Sequence, residues 1–252
     1  MIKRILISND DGIYSEGINT LFNYVSEVYP DTHVIAPDRN HSAASNALTL
    51  ENPLRIQRIN KVNFTAVKGT PTDSVYLGIN QLLKPRPDIV LSGINHGPNL
   101  GDDVIYSGTV AAATVGRHLE YTPIAISLCG NTHFETAARY TLKILEMIES
   151  CPMRKGQILN INIPDVEYER VKGIMVTRLG QREEAESVIA DKDVRGQAIY
   201  WVGPQGKMKD FAEGTDFYAI MQNYVSITPL QIDLTSYQSL EDLSMWSKRI
   251  EF

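Results

Sequence analysis

The sequence predicts an α/β fold: a Rossmann-like, mostly parallel sheet with helices on both faces, plus an extended α+β C-terminal arm. Three observations predict it. Short apolar runs alternate with stretches of helical spacing as far as Pro164, which is the pattern of a parallel sheet covered on both sides. Polar, glycine-bearing turns follow the ends of those runs. Beyond about residue 172 the segments shorten and the chain becomes highly charged, so 1–171 reads as the core and 172–252 as the extension.

The elements follow in order. Residues 3–8 (KRILIS) form a buried strand, and Ile18, Leu21, Phe22 and Val25 recur at helical spacing after it. A second strand covers 32–36 (THVIA) and ends at Pro37. The runs at 54–59 and 62–67 alternate around Asn60-Lys61 and predict a hairpin. Thr70 caps a helix whose first position is Pro71, with the Asp73 carboxylate in its first turn. Then come a strand at 88–92 (DIVLS), a long polar loop, a helix from about 109, a strand near 123–128, a helix over 134–150, and the strand QILNINIP. In the extension, 172–180 and 197–203 read as antiparallel strands flanking a charged stretch. A short helix near 215–222, the strand VSITPLQI and a last helix with Leu240, Leu243 and Trp246 on one face complete the chain.

Composition narrows the function. Of 252 residues, 43% are hydrophobic, enough for a sizeable core. The net charge of −6 argues against a nucleic-acid polymer as partner, since such surfaces need clustered Lys and Arg to displace counterions. An acidic chain that binds an anion must supply positive potential locally, from a cation or a helix N-terminus. The two cysteines, Cys129 and Cys151, have neither metal-site nor redox-motif spacing. The beginning MIKRILISNDDG lacks the apolar core of a signal peptide, and no run approaches the length of a membrane span. A cytoplasmic protein without membrane contact is expected.

Ligands bind outside the carboxyl ends of strands in open parallel sheets. Three polar turns sit there: Ser8-Asn9-Asp10-Asp11-Gly12, Asp38-Arg39-Asn40-His41-Ser42, and Gly93-Ile94-Asn95-His96-Gly97-Pro98-Asn99. Asp10 and Asp11 are adjacent, and two carboxylates bent toward one point repel unless they share a cation or a proton. A hard divalent cation, completed by neutral oxygens such as Ser42 and the Asn95 amide, fits this all-oxygen set; Mg²⁺, Mn²⁺ or Ca²⁺ is favoured over Zn²⁺. Taken alone, SNDDG is equally turn chemistry with a helix cap, and the convergence of turns is what favours the cation. The run Ser107-Gly108-Thr109 leads from a loop into the small-residue helix; its free N–H groups and hydroxyls make an anion cradle, or only a cap. His41 and His96 fall on the rim in hydrogen-bonding or exposed roles, and Arg39 is either a phosphate partner or a salt bridge to Asp38. The G-x-G-x-x-G fingerprint, a P-loop, a G-x-S-x-G elbow and H-E-x-x-H are all absent, which sets aside a dinucleotide-dependent oxidoreductase.

SNDDG, APDRNHSAAS, GTPTDSV, PDIVLSGINHGPNLGDDVIYSGTVAAA and YVSITPL, in this order from residue 8 to residue 230, resemble the SurE family of stationary-phase survival nucleotidases. The resemblance implies hydrolysis of nucleoside 5′- and 3′-monophosphates, in some members also of short polyphosphates. It implies one divalent metal ion per subunit on Asp10, Asp11, Ser42 and Asn95, with Asp10 and Asp11 catalytic. It places phosphate contacts on Ser107, Gly108 and Thr109, with Asn9, Gly93 and Asn95 close by. It also implies a homo-oligomer, dimer or tetramer, with the C-terminal arm exchanged between subunits. GIYSEGI departs from the family's usual Ala-Pro before the glycine, as do His41, Ala43 and Pro98 from the usual Gln, Gly and Ala; none removes a ligand. A nucleotide- or phosphate-binding regulatory module without turnover is the competing reading.

Overall fold

Alternation of apolar runs with amphipathic stretches builds the core. In the computed structural model, which describes residues 1–59, 61, 63–185 and 187–250, β1 (Arg4–Ser8) leads through a turn to α1 (Glu16–Val28) and β2 (Asp31–Pro37). After these come β3 (Arg55–Arg58), β4 (Phe64–Lys68), α2 (Pro71–Leu77), β5 (Ile89–His96), α3 (Gly108–Val115), β6 (Ile124–Cys129), α4 (Phe134–Met147) and β7 (Ile158–Pro164). The extension adds β8 (Ile174–Val176), β9 (Gln181–Arg182), β10 (Ile189–Lys192), β11 (Ala198–Trp201), β12 (Met208–Asp210), α5 (Asp216–Met221), β13 (Val225–Leu230) and α6 (Leu240–Ser247).

One nine-stranded sheet has the order β3-β4-β2-β1-β5-β6-β7-β13-β8. From β4 to β7 every neighbouring pair is parallel. Successive side chains of a strand point to opposite faces. Ile5, Ile7, Ile89 and Leu91 therefore pack with Ile18, Leu21 and Ala137 of α1 and α4, while Leu6, Ile35 and Val90 meet Val75 and Ala112 of α2 and α3. With both faces covered, the central strands carry apolar residues on both, and their polar residues gather at the ends. The start of α2 is fixed as the sequence predicts: Thr70 Oγ1 accepts from the Asp73 N–H at 3.0 Å, and Asp73 Oδ2 accepts from the Thr70 N–H at 2.9 Å.

Two parts differ from the sequence reading. The strand expected to stop at Ser92 runs on to His96. Its pairing with β6 slips by one residue between Ser92 and Asn95, so a bulge carries the strand through the glycine. Residues 172–180 read as an antiparallel strand; instead β8 joins the main sheet parallel to β13, which lies antiparallel to β7. β11 pairs with β10 from the charged stretch. A short strand's composition does not name its partner, and every residue of β10 is exposed, so burial left no pattern there. The strands of the predicted hairpin pair antiparallel, while Asn60 of its turn and Val62 at the start of its second run lie outside the described residues.

Leu240, Leu243 and Trp246 of α6 are 51%, 56% and 59% exposed. Among the described residues no helix is long and apolar enough to cross a membrane.

Asp216, fully buried at the start of α5, accepts from the N–H groups of Gly101 at 2.7 Å, Gly180 at 2.8 Å and Phe217 at 2.9 Å. It thereby ties the loop after β5 to the extension. Asp216→Ala leaves these buried donors unsatisfied, and a loss of about 2–4 kcal/mol in urea unfolding is expected.

Candidate functional site

The sheet order places the chain's switch point between β1 and β5: β2 lies on one side and β6 on the other. The crevice outside the carboxyl ends of these strands is where such sheets bind ligands. The turn after β1 brings Asp10 and Asp11 to it, and the bulged end of β5 brings Asn95.

Asp10 is only 4% exposed. Its Oδ1 accepts from the Thr109 hydroxyl of α3. Gly108 is the reason α3 comes this close: a Cβ there would lie 2.7 Å from the Asp10 Cβ. Asp11 Oδ2 accepts from the backbone N–H of His96 at 3.0 Å, which fastens the end of β5 to the turn after β1. Burial pushes the Asp10 carboxyl up to about 6, Asp11 nearby adds to the rise, and the Thr109 hydrogen bond opposes it. Asp11 is also raised, by burial first, with the His96 N–H and the His96 charge acting against it. Both shifts come first from burial, and a cation between the two carboxylates would oppose them.

Asn95 Nδ2 donates to the Gly97 carbonyl at 2.9 Å, which fixes the amide and leaves its Oδ1 as the outward acceptor. Gly93 sits at φ +144°, and a Cβ there would lie 2.3 Å from the Ile126 carbonyl oxygen, so only glycine admits the bulge that presents Asn95. Asn9 Nδ2 donates to the Gly12 carbonyl at 3.0 Å and to Ser15 Oγ at 2.8 Å, while its Oδ1 is buried without a partner. The Ser8 and Ser92 hydroxyls, cross-strand neighbours on β1 and β5, are likewise buried and unpartnered. Ser42 is exposed; its N–H and hydroxyl donate to Asn40 Oδ1 at 2.7 and 2.6 Å. Its loop is tethered to the site by the His41 N–H, which donates to the Asp10 carbonyl at 2.7 Å.

Ser107 caps α3, its hydroxyl oxygen accepting from the Val110 N–H at 3.1 Å. Gly108 and Thr109, as the first residues of that helix, carry N–H groups without intrahelical acceptors. The Thr109 hydroxyl is engaged with Asp10, so the cradle consists of backbone N–H groups and the Ser107 hydroxyl. Arg39 makes no salt bridge to Asp38 among the described residues, which removes that alternative. The His96 ring packs edge-on against Phe134 at 5.2 Å.

The two carboxylates and the Asn95 amide oxygen suit a hard divalent cation, while the exposed Ser42 hydroxyl is turned to Asn40 on a loop tethered beside them. Among the described residues no cluster of three or more His, Cys, Asp or Glu exists, so the remaining positions fall to neutral oxygens and water.

Sequence reasoning missed the residues that hold the rim. Thr49 is bound to the buried Asp73 through both its N–H (3.0 Å) and its hydroxyl (2.6 Å), which anchors the far end of the Ser42 loop. Asn99 donates from its N–H to Asn162 Oδ1 at 2.8 Å and from its amide to Ser127 Oγ at 2.7 Å. Its carbonyl accepts from Asn160 and Asn162 at 2.9 and 3.0 Å. The period-two asparagines in the strand LNINIP were the available signal.

Comparison with known proteins identifies relatives along nearly the whole chain. Residues 5–186 match the family described as Survival protein SurE. A 5′-nucleotidase SurE from Aeromonas hydrophila is 56% identical over 248 residues, covering 96% of this chain and 98% of its own length. A 5′/3′-nucleotidase SurE from Proteus mirabilis is 53% identical, covering 98% and 97%. The crystal structure of a SurE protein from Aquifex aeolicus superposes with a TM-score of 0.84 at 39% identity, covering 97% of this chain and 99% of that one.

Because the Thr109 hydroxyl favours the ionised form of Asp10, Thr109→Val is expected to raise the Asp10 carboxyl above its value of about 6. A pH titration of carboxyl carbon shifts by NMR in metal-free protein measures this; an unchanged or lowered midpoint contradicts the hydrogen bond's role.

Proposed function

The chain belongs to the SurE family and is a 5′/3′-nucleotidase, and we propose that it works as a metal-dependent phosphomonoesterase whose centre is Asp10 and Asp11. The observation that supports this reading is the carboxylate pair at the sheet's switch point, Asp10 buried against the N-terminus of α3 and Asp11 half-buried beside it. Its substrates are nucleoside 5′- and 3′-monophosphates, with short polyphosphates as a further class.

Asp10, Asp11, the Asn95 Oδ1 and the Ser42 Oγ would hold one divalent ion, Mg²⁺ or Mn²⁺. When bound, such an ion supplies Lewis-acid polarisation of a phosphoryl oxygen and a nucleophile from water at neutral pH. The protein's own groups do the positioning. The Gly108 and Thr109 N–H groups and the Ser107 hydroxyl donate to phosphoryl oxygens, and they strengthen as charge builds there. The Thr109 hydroxyl fixes the Asp10 rotamer, and the His96 N–H fixes that of Asp11. Asn9 and Gly93 border the phosphate: Asn9 fixes the turn through the bonds its amide N–H donates to the Gly12 carbonyl and Ser15 Oγ, and Gly93 permits the bulge that admits Asn95. A binding module without turnover is disfavoured, because two adjacent carboxylates facing an anion repel it unless a cation stands between them.

The remaining assignments rest on composition and family. Residues 1–171 form the catalytic core and 172–252 an oligomerisation arm, which would bury the exposed Leu240, Leu243 and Trp246 against a second copy in a dimer or tetramer. The cytoplasm is the proposed location.

Phosphate release from AMP should require Mn²⁺ or Mg²⁺ and stop with chelator. Asp10→Asn should lower kcat by about 10²–10³-fold without lowering the melting temperature of the metal-free protein, since it removes a buried charge. Turnover by this variant at the parental rate would refute the metal assignment.

The raised Asp10 carboxyl also sets a pH dependence. Its folded-state value exceeds the ordinary 3.8, so the metal-free fold loses stability as pH rises from there through about 6, and an added cation restores it. Protons and cation compete for Asp10 below that point. Calorimetric Mn²⁺ affinity is therefore expected to rise by up to about tenfold per pH unit below pH 6 and to level off above it.

A further inference from the structure

Beside the carboxylate turn lies a second cavity, of about 360 Å³, lined by Asp38, Arg39, His41, Arg55 and Lys68 among others. One segment joins it to the site. The His41 N–H is bonded to the Asp10 carbonyl, and the Arg39 backbone presses on Gly12, where a Cβ would lie 2.8 Å from the Arg39 carbonyl carbon. Arg55 and Lys68 are cross-strand partners on β3 and β4, so two like charges stand directly opposite each other. That arrangement destabilises a sheet unless an anion relieves it. Among the described residues neither of them, nor Arg39, has an ion-pair partner. Asp38, the one carboxylate in the wall, has its Oδ1 buried without a partner, and the three cations outnumber it. His41 Nε2 is also buried and unpartnered. Charges on an edge strand discourage strand pairing, which explains an exposed Arg55. It does not explain Lys68 on the inner strand, or Arg39 arriving from another loop. In a chain of net charge −6 this is a concentration of unanswered positive charge at the rim of a phosphate site.

We propose that this cavity receives a second phosphoryl group of the substrate, carried on the molecule whose first phosphoryl group lies at the Asp10–Asp11 turn, so that nucleoside bisphosphates are bound in preference to monophosphates. The inference rests on the nucleotidase reading of that turn. A dianion suits the three cations, and a cavity of about 360 Å³ has room for one.

The test compares AMP with adenosine 3′,5′-bisphosphate on the full-length, Mn²⁺-loaded protein and on Arg55→Gln/Lys68→Gln. The bisphosphate should show a KM about tenfold below that of AMP. The double variant should raise the bisphosphate KM by about the same factor, leave AMP turnover within about twofold, and melt no lower than the parent because the cross-strand repulsion is gone. An unchanged bisphosphate KM in the variant overturns the proposal. So does an inhibition of AMP turnover by inorganic phosphate that the variant abolishes while the bisphosphate KM stays put, since the cavity would then serve free phosphate. If AMP is not turned over at all, the nucleotidase reading fails separately. Calorimetric titration of both proteins with the bisphosphate then decides the cavity: weaker binding by the variant supports it and equal binding overturns it.

Discussion

Burying Asp10 next to Asp11 sets the terms for everything around the crevice. Desolvation raises both carboxyls, Asp10 to about 6. The fold answers with donors rather than with counter-charged side chains. A hydroxyl from α3 meets Asp10 and a backbone N–H from the end of β5 meets Asp11. Each donor comes from a different element, so the two carboxylates can be held in place only when β1, β5 and α3 are all in register. The close approach of α3 then depends on Gly108, and the reach of β5 on the bulge at Gly93. A cation is the one partner that satisfies both carboxylates without adding a competing base to the site.

Precision at the rim comes from polar groups that do not face the crevice. Loops carrying ligand groups are the least constrained parts of a fold, and their backbone groups need partners when they are buried. Asp73 anchors the loop of Ser42 through Thr49; Asn160 and Asn162 grip Asn99, just beyond Asn95; Asp216 holds Gly101. Each anchor is a side chain on a strand or a helix start that accepts or donates to loop backbone. The rigid sheet thus dictates where the ligand-bearing turns stand.

This division explains what could be read from the sequence. Period and capping signals located the core strands and helices to within a few residues, because burial on two faces leaves continuous apolar runs and α2 announces itself with Thr70, Pro71 and Asp73. Asp10, Asp11 and Asn95 were legible because they interrupt such runs at strand ends, and the structure brings them to one crevice. The anchors were not legible as such. Asn160 and Asn162 look like an interruption of a strand until the loop they grip is known, and Asp73 looks like a cap until Thr49 arrives from 24 residues away. The end of β5 was misplaced for a related reason: glycine ordinarily breaks a strand, and only the neighbour β6, with the Ile126 carbonyl against Gly93, shows that here it permits a bulge instead. In the extension the sheet edge at β13, rather than local propensity, selected β8.

An acidic protein that processes anions must create positive potential where its net charge works against it. Three devices converge on this crevice, and they differ in range and in specificity. The N–H groups at the start of α3 act within a turn's length and select for geometry. A cation held on Asp10 and Asp11, as proposed, would turn the most negative point of the site into its most positive, which no arrangement of lysines at that point could do without pairing off against the same carboxylates. The unpaired Arg39, Arg55 and Lys68 lie to one side, separated from the carboxylates by the backbone of the turn. Placed there, they add attraction for an approaching anion without competing for the cation's ligands. In a chain of net charge −6 the positive potential is thereby gathered at the carboxyl ends of the central strands β1 and β5.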